Sequence, residues 1–165
     1  MRLQDIPKGS RVFIDTNIFF FDIAQHPTLC KPCRAFLERV EAGELAGAVS
    51  PVVWNELFHQ LMLGEVARAQ GIQPYQVAKL VKHNPESLKG LKAYRLLETA
   101  QKIPNILVAD VLAGDWPAAI DLSKKHQLLA NDALHVTVMQ REGVQMLASD
   151  DRDFQRVPWL KLYRP

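Results

Sequence analysis

The stretch RVFIDTN, residues 11–17, joins a short apolar run to three consecutive polar residues. The apolar part has the length and composition of a strand that is buried on both faces of a parallel sheet. The polar residues follow at the point where such a strand reaches the edge of its sheet. We therefore predict that the first strand ends at Ile14 and brings Asp15 to that edge.

Strand-like and helix-like segments alternate along the rest of the chain. Strands are predicted for GAVS (47–50), NILVAD (105–110), VQMLA (144–148) and, as an edge strand, LKLY (160–163). Helices are predicted for Lys31–Glu41, for the segment from Pro51, capped by Ser50, to Gly64, for 116–127 and for 131–142. Residues 65–102 are also helical in pattern, with breaks near 71–74 and 83–85. This alternation predicts an α/β fold of three layers, with a central, mainly parallel sheet between two layers of helices.

Composition limits the classes of protein to consider. The 165 residues are 48% hydrophobic and 23% charged, which is typical of one compact domain, and we expect residues 1–165 to form it. The net charge of +2 is too small to indicate a nucleic-acid binder from charge alone. No apolar run is long enough to span a bilayer, and MRLQDIPKGSRV lacks the apolar segment of a signal peptide. We therefore expect a cytoplasmic protein with no membrane partner.

The two cysteines, Cys30 and Cys33, form the motif CKPC. A redox pair of the thioredoxin type would follow a strong strand, and FDIAQHPTL is not one. Tetrahedral zinc would need a second Cys/His pair, which the sequence does not contain. The favoured interpretation is two reduced thiols near the start of a helix, with Pro32 at an early helical position.

Acidic residues lie next to apolar elements at four places. They are Asp15, Glu56 in VVWNELF, Asp132 in LLANDALHV, and the cluster Asp150, Asp151 and Asp153 after VQMLA. Taken singly, each has an ordinary structural explanation as a turn residue, a solvated helical residue, a helix cap or a loop residue. Together they would be a costly arrangement unless a cation neutralised them. Hard oxygen ligands favour Mg²⁺ or Mn²⁺.

Other catalytic centres have less support in the sequence. Among the five histidines, His59 and His135 fall in helical segments, where a packed or hydrogen-bonded imidazole is the expected role. The phosphate-binding loop, the dinucleotide fingerprint and the hydrolase nucleophile elbow are all absent. A phospho-acceptor or phosphatase domain with Asp15 as nucleophile would need a further partner acid or lysine, and none stands out.

The ordered set FIDTN, NELF, NDALHVTV and LASDDRDFQRV resembles the PIN-domain family, and most of all the VapC-type toxin ribonucleases of toxin–antitoxin systems. The resemblance runs from about Arg11 to the C-terminus and is weakest between about Gly64 and Asp115. It implies a three-layer PIN fold and a metal-dependent endoribonuclease. A PIN nuclease of RNA processing or decay without an antitoxin, and a non-catalytic PIN-like binding module, are the alternatives.

The resemblance also implies a set of site residues. The metal-binding and catalytic acids correspond to Asp15, Glu56, Asp132 and Asp151, and the supporting or substrate-contacting residues to Thr16, Asn17, Ser149 and Asp153. Asp150 is expected to be an ordinary polar residue that faces solvent. This chain departs from the family where small residues usually follow the third acid, because it has His135 and Val136 there.

The implied cofactor is Mg²⁺ or Mn²⁺, and the implied partners are an RNA substrate, a VapB-type antitoxin and a second copy of the chain. An anionic site needs basic residues elsewhere to attract the RNA backbone. We expect these among Arg34, Arg39, Lys124 and Arg152. The apolar segment VVWNELFHQLML could supply surface for a partner, although core packing explains it equally well.

Overall fold

A computed structural model describes every residue from Met1 to Pro165. Its five strands are β1 (Arg11–Ile14), β2 (Ala46–Val49), β3 (Ile106–Val108), β4 (Met146–Ala148) and β5 (Lys161–Tyr163). They form one sheet in the order β3-β2-β1-β4-β5, and every neighbouring pair is parallel. All five strands were predicted to within two residues of their ends, and β5 lies at an edge as expected.

Seven α-helices connect the strands. They are α1 (Thr16–Ile23), α2 (Cys30–Glu41), α3 (Pro51–Gln70), α4 (Pro74–His83), α5 (Ala93–Ala100), α6 (Asp115–His126) and α7 (Ala130–Arg141). Short 3₁₀ helices cover Leu3–Asp5, Pro85–Leu88 and Arg152–Arg156. The breaks predicted near 71–74 and 83–85 separate α3, α4 and the second 3₁₀ helix.

The strand order explains the three layers. The chain moves outward from β1 to β2 and β3, then returns to place β4 on the other side of β1. Because crossovers between parallel strands are right-handed, this reversal puts α1–α5 on one face of the sheet and the packed pair α6 and α7 on the other. The carboxyl ends of β1 and β4 therefore flank the point where the direction of winding changes, which is where parallel sheets place their sites.

Strand β1 is the centre of the core. Val12, Phe13 and Ile14 are at most 1% exposed, since helices cover both faces of the sheet and a neighbouring strand lies on each side. In the register, Ile14 pairs with Ala148 of β4. The residues after these two positions, Asp15 and Ser149, consequently leave the sheet side by side.

Two features differ from the sequence pattern. Helix α1 was not indicated, because its sequence TNIFFFDI is apolar almost all round and shows no polar face. Helix α3 does not end at Gly64 but continues to Gln70 and is closed by Gly71, whose φ of 64° is left-handed. A glycine inside a helix is only a modest cost, so Gly64 alone was not a sufficient stop signal.

Replacing Gly64 with alanine should raise the free energy of unfolding by about 0.5–1 kcal/mol, because alanine restricts the unfolded chain more than glycine does. A Cβ at this position would meet no atom within 4 Å. Urea unfolding followed by circular dichroism measures the change. The matched control, Gly71→Ala, should lower stability instead, since its positive φ disfavours a side chain; a loss of stability in both variants would contradict the helical assignment of Gly64.

The CKPC pair occupies the first turn of α2, as expected, and both thiols are free. Burial, helped by the negative charge of Asp22, raises the pKa of the Cys33 thiol to about 12, which makes this sulfur a poor nucleophile. The Cys30 thiol donates to the Asp22 carbonyl at 3.7 Å. No helix in the structure combines the length and apolar character that crossing a membrane requires.

Candidate active site

The side chains that follow β1 and β4 meet at the carboxyl edge of the sheet. The Asp15 amide donates to the carbonyl of Ala148, which extends the β1–β4 pairing by one step. The hydroxyl of Ser149 then donates to Asp15 Oδ2 at 2.5 Å. Residues 134 positions apart in the chain are thereby joined at one point.

Asp15 is held in one orientation by three donors. Its Oδ1 accepts from the Thr16 amide at 2.7 Å, and its Oδ2 accepts from the Asn17 side chain as well as from Ser149. The residue is only 7% exposed. Burial raises the pKa of the Asp15 carboxyl even though His135, Ser149 and Thr16 act to lower it. This balance leaves a carboxylate that would gain from a nearby cation.

The loop after β4 fixes Asn17. The Asn17 amide nitrogen donates to Ser149 Oγ at 3.0 Å, and its oxygen accepts from the backbone amide of Asp150 at 3.1 Å. The Asp150 carboxylate forms an ion pair with Arg164, the residue that follows β5. The expectation that Asp150 is an ordinary polar residue facing solvent is therefore wrong, because its backbone amide and its side chain both hold the loop in place.

Glu56 lies in the second turn of α3 and faces the same edge. Its Oε2 accepts from Thr16 Oγ1 at 2.8 Å and lies 3.3 Å from His135 Nε2, and its Oε1 accepts from Asn131 at 2.6 Å. Burial acts to raise the pKa of Glu56, but the hydrogen bonds and charge of its partners, His135 first among them, outweigh it and leave the pKa below its usual value. These hydrogen bonds satisfy a glutamate whose neighbours on α3, Trp54 and Leu57, are apolar and buried.

His135 is the member of the site that the sequence did not indicate. Its imidazole is 1% exposed, packs 5.5 Å from the Phe13 ring, and has Nδ1 3.4 Å from Ser50 Oγ. Ser50 lies at the cap position of α3 but makes no capping hydrogen bond. The available signal was the spacing from Asp132, because residues three apart lie on one face of a helix.

Asp132 lies in the first turn of α7, where capping was the ordinary explanation. No side chain caps this helix, and the Asp132 carboxylate accepts no hydrogen bond from the protein. Partial burial, together with repulsion from Asp15 and Asp151, raises the pKa of Asp132 to about 6. Asp132 is therefore a carboxylate close to two others, and His135 only partly offsets its burial and their repulsion.

Asp151 and Asp153 have separate roles in the loop after β4. The Asp151 amide donates to Ser149 Oγ at 3.0 Å, and its carboxylate accepts from the Asp153 amide at 2.8 Å, capping the last 3₁₀ helix. The Asp153 carboxylate binds Arg156 at 2.7 Å. Asp151 thus lies near enough to act on Asp132, whereas the side chain of Asp153 is occupied outside the cluster.

The four basic residues suggested for RNA attraction differ in availability. Arg39 donates to the carbonyls of Leu3, Gln4 and Ile6 and pairs with Glu44, so its role is to hold the N-terminal segment. Arg34 pairs with Asp22 at 2.5 Å. Lys124 and Arg152 are exposed.

The donor set fits a divalent cation. One ligand atom from each of Asp15, Glu56 and His135 lies within 4.8 Å of the others, and the carboxylate of Asp132 has no partner in the protein. Carboxylate oxygens are the ligands that Mg²⁺ and Mn²⁺ prefer, and Mn²⁺ also tolerates nitrogen. A bound cation would act against both the burial and the repulsion that raise the pKa of Asp132.

Comparison with known proteins extends these observations. The PIN domain family matches residues 12–160 of the chain. Ribonuclease VapC2 of Methanocaldococcus jannaschii is 26% identical over 156 residues, which is 93% of each protein. Two solved structures share the fold. VapBC2 from Rickettsia felis, bound to a DNA fragment from its promoter, is 19% identical with a TM-score of 0.60, and the match covers 93% of this chain and 98% of that one. VapC20 of Mycobacterium tuberculosis, described as a Sarcin-Ricin loop cleaving toxin, is 16% identical with a TM-score of 0.59, and the match covers 89% of this chain and 95% of that one.

Proposed function

This chain belongs to the PIN domain family, and we propose that it is a metal-dependent endoribonuclease, the toxin of a VapBC-type toxin–antitoxin pair. The observation that carries the proposal is that Asp15 and Glu56 have ligand atoms within 4.8 Å of each other beyond the end of β1, and that Asp132 is close enough for both to act on its pKa. The likeness to a VapC ribonuclease over nearly the whole chain supports the reaction and its RNA substrate.

Asp15, Glu56, Asp132 and Asp151 are the residues that would hold the ion. A divalent cation, when bound, supplies positive charge to the scissile phosphodiester and makes a water molecule more acidic. We propose Mg²⁺ or Mn²⁺ on the chemistry of the donors.

The supporting residues orient these carboxylates. Ser149 and Asn17 donate to Asp15, and Thr16 donates to Glu56. Each hydrogen bond fixes an oxygen that would otherwise rotate, which reduces the entropy lost when the substrate binds. Glu56 is half-buried, and we assign to it the orientation of the attacking water through its carboxylate.

We propose that the partners bind at surfaces outside the acidic cluster. Most apolar side chains of α3, among them Val53, Trp54 and Leu57, are buried in the core. Two adjoining grooves of about 430 and 300 Å³ remain, and Ile23 and Leu96 line both. We propose that an antitoxin segment occupies these grooves and that the toxin forms a homodimer. Light scattering on the protein with and without its co-expressed antitoxin would measure both associations. A protein that stays monomeric and does not bind the antitoxin would contradict them.

Incubation of the purified protein with mixed RNA tests the activity. We expect internal cleavage with Mg²⁺ or Mn²⁺, none in EDTA, and recovery when the metal is added back in excess. Common contaminating ribonucleases need no metal, so EDTA also serves as the purity control. Cleavage that persists in EDTA would contradict the mechanism, and binding of RNA without any cleavage would favour the non-catalytic alternative.

A further inference from the structure

The close approach of His135 Nε2 to Glu56 Oε2 requires a proton or a cation between the two atoms. His135 Nε2 lies 3.3 Å from Glu56 Oε2, and an ionised carboxylate oxygen can only accept. The tautomer that carries the proton on Nε2 would donate to Glu56 Oε2. When Nδ1 carries the proton instead, it can donate a hydrogen bond to the hydroxyl oxygen of Ser50, which lies 3.4 Å away. The lone pair of Nε2 then faces the carboxylates.

The spacing of these atoms suits coordination. Two ligands in adjacent octahedral positions with bonds of about 2.1 Å are separated by about 3.0 Å. The 3.3 Å between Nε2 and Oε2 is close to that separation, and an oxygen of Asp15 lies within 4.8 Å of both. A cation could therefore replace the proton with small movements of the side chains.

The imidazole is also fixed in this position. It is 1% exposed and packed against the Phe13 ring of the central strand, so it cannot turn outward to solvent. A ligand that is already held in place loses little conformational entropy when it binds an ion. The position is also the one at which this chain departs from the small residues that the family resemblance led us to expect.

We propose that His135 Nε2 binds the active-site cation directly, beside Asp15 and Glu56, and that this nitrogen ligand makes the site select Mn²⁺ over Mg²⁺. The inference rests on the metal site of the proposed function. Mg²⁺ strongly favours oxygen ligands and gives up its water reluctantly. Mn²⁺ also binds carboxylates, but as a first-row transition ion it binds an imidazole nitrogen more readily than Mg²⁺ does. A mixed donor set consequently favours Mn²⁺ more than four carboxylates would.

Pulsed electron paramagnetic resonance of the full chain loaded with Mn²⁺ tests the bond itself. We expect an echo modulation from a directly bound ¹⁴N nucleus, lost in His135→Gln. Glutamine keeps a side-chain amide that can still donate to Glu56, so the variant separates coordination from hydrogen bonding. His59→Gln is the matched control, because His59 is exposed on α3 and its loss should leave the modulation unchanged.

Calorimetric titration with each ion tests the selectivity. We expect His135→Gln to weaken Mn²⁺ binding by about tenfold or more and Mg²⁺ binding by less than about threefold, so that the ratio of the two dissociation constants falls. Thermal unfolding followed by circular dichroism verifies that the variant is folded.

The outcomes separate the inference from the function it rests on. Bound Mn²⁺ without nitrogen coupling, or an unchanged ion preference in His135→Gln, overturns the inference while metal-dependent cleavage of RNA still stands. A wild-type protein that binds neither ion overturns both. Nitrogen coupling that disappears only in His135→Gln, with a reduced preference for Mn²⁺, supports the assignment.

Discussion

Asp15→Asn should lower the rate of RNA cleavage by about 10²–10³-fold, because the amide cannot supply the negative charge that holds the cation. Losing a metal ligand removes several kcal/mol of transition-state stabilisation, and each 1.4 kcal/mol or so is a factor of ten. The geometry of the donors around Asp15 adds to the effect. An asparagine places an NH₂ group against the Asn17 side chain, which now donates to Asp15 Oδ2.

Single-turnover cleavage of a defined RNA, at saturating metal, measures the loss. Thermal unfolding in the same buffer shows whether the variant is folded, and Mg²⁺ or Mn²⁺ should stabilise it less than the wild type. Asp110→Asn is the matched control, since Asp110 follows β3 at the same edge of the sheet but is exposed and outside the cluster. Activity of Asp15→Asn within tenfold of the wild type would be inconsistent with a role as metal ligand.

Asp132→Asn should abolish most of the activity and yet stabilise the metal-free protein. The pKa of Asp132 is raised from 3.8 to about 6, so the folded chain holds its proton more tightly than the unfolded chain does. The stability of the metal-free wild type consequently falls as the pH rises from about 4 to about 6 and stays lower above that range. Asparagine has no proton to lose, and the variant avoids this fall.

The gain is modest because Asp132 is partly exposed and its repulsion is screened by solvent. We expect about 1 kcal/mol above pH 6, or about 2–4 °C in Tm for a chain of this size. Melting curves in EDTA at pH 4 and pH 8 measure it, with the two proteins similar at pH 4. Saturating Mn²⁺ should reverse the order at pH 8. A variant that melts below the wild type at pH 8 in EDTA would show that ionised Asp132 does not destabilise the metal-free protein.

The sequence predicted those parts of the fold whose signal is local. The run RVFI and the run VQMLA are apolar, short and followed by acids, and they proved to be neighbouring parallel strands. Helix α1 escaped prediction because an apolar face on every side leaves no period to detect. The end of α3 was misplaced since a single Gly64 resembles a stop signal, although the left-handed Gly71 performs that role.

The site shows a similar division. Family resemblance and apolar surroundings singled out the acids. The structure brings ligand atoms of Asp15 and Glu56 within 4.8 Å of each other, and it places Asp132 close enough to interact electrostatically with Asp15, Asp151 and Glu56. His135 went undetected because a histidine in an apolar helix is more often simply packed, and only the folded chain shows Nε2 facing Glu56. The commitment of Arg39 to backbone carbonyls was equally invisible, since it depends on where the first residues of the chain fold.

The hydrogen bond between Ser149 and Asp15 has a consequence for synthesis on the ribosome. The two residues are separated by 134 positions, and β4, which pairs with the second edge of β1, is translated long after β1. Until β4 emerges, β1 has only β2 as a partner, and the nascent chain presents an open, apolar strand edge. The acidic site therefore cannot be complete before β4 and the loop after it have been translated, and the contacts that close it are of the slow, long-range kind.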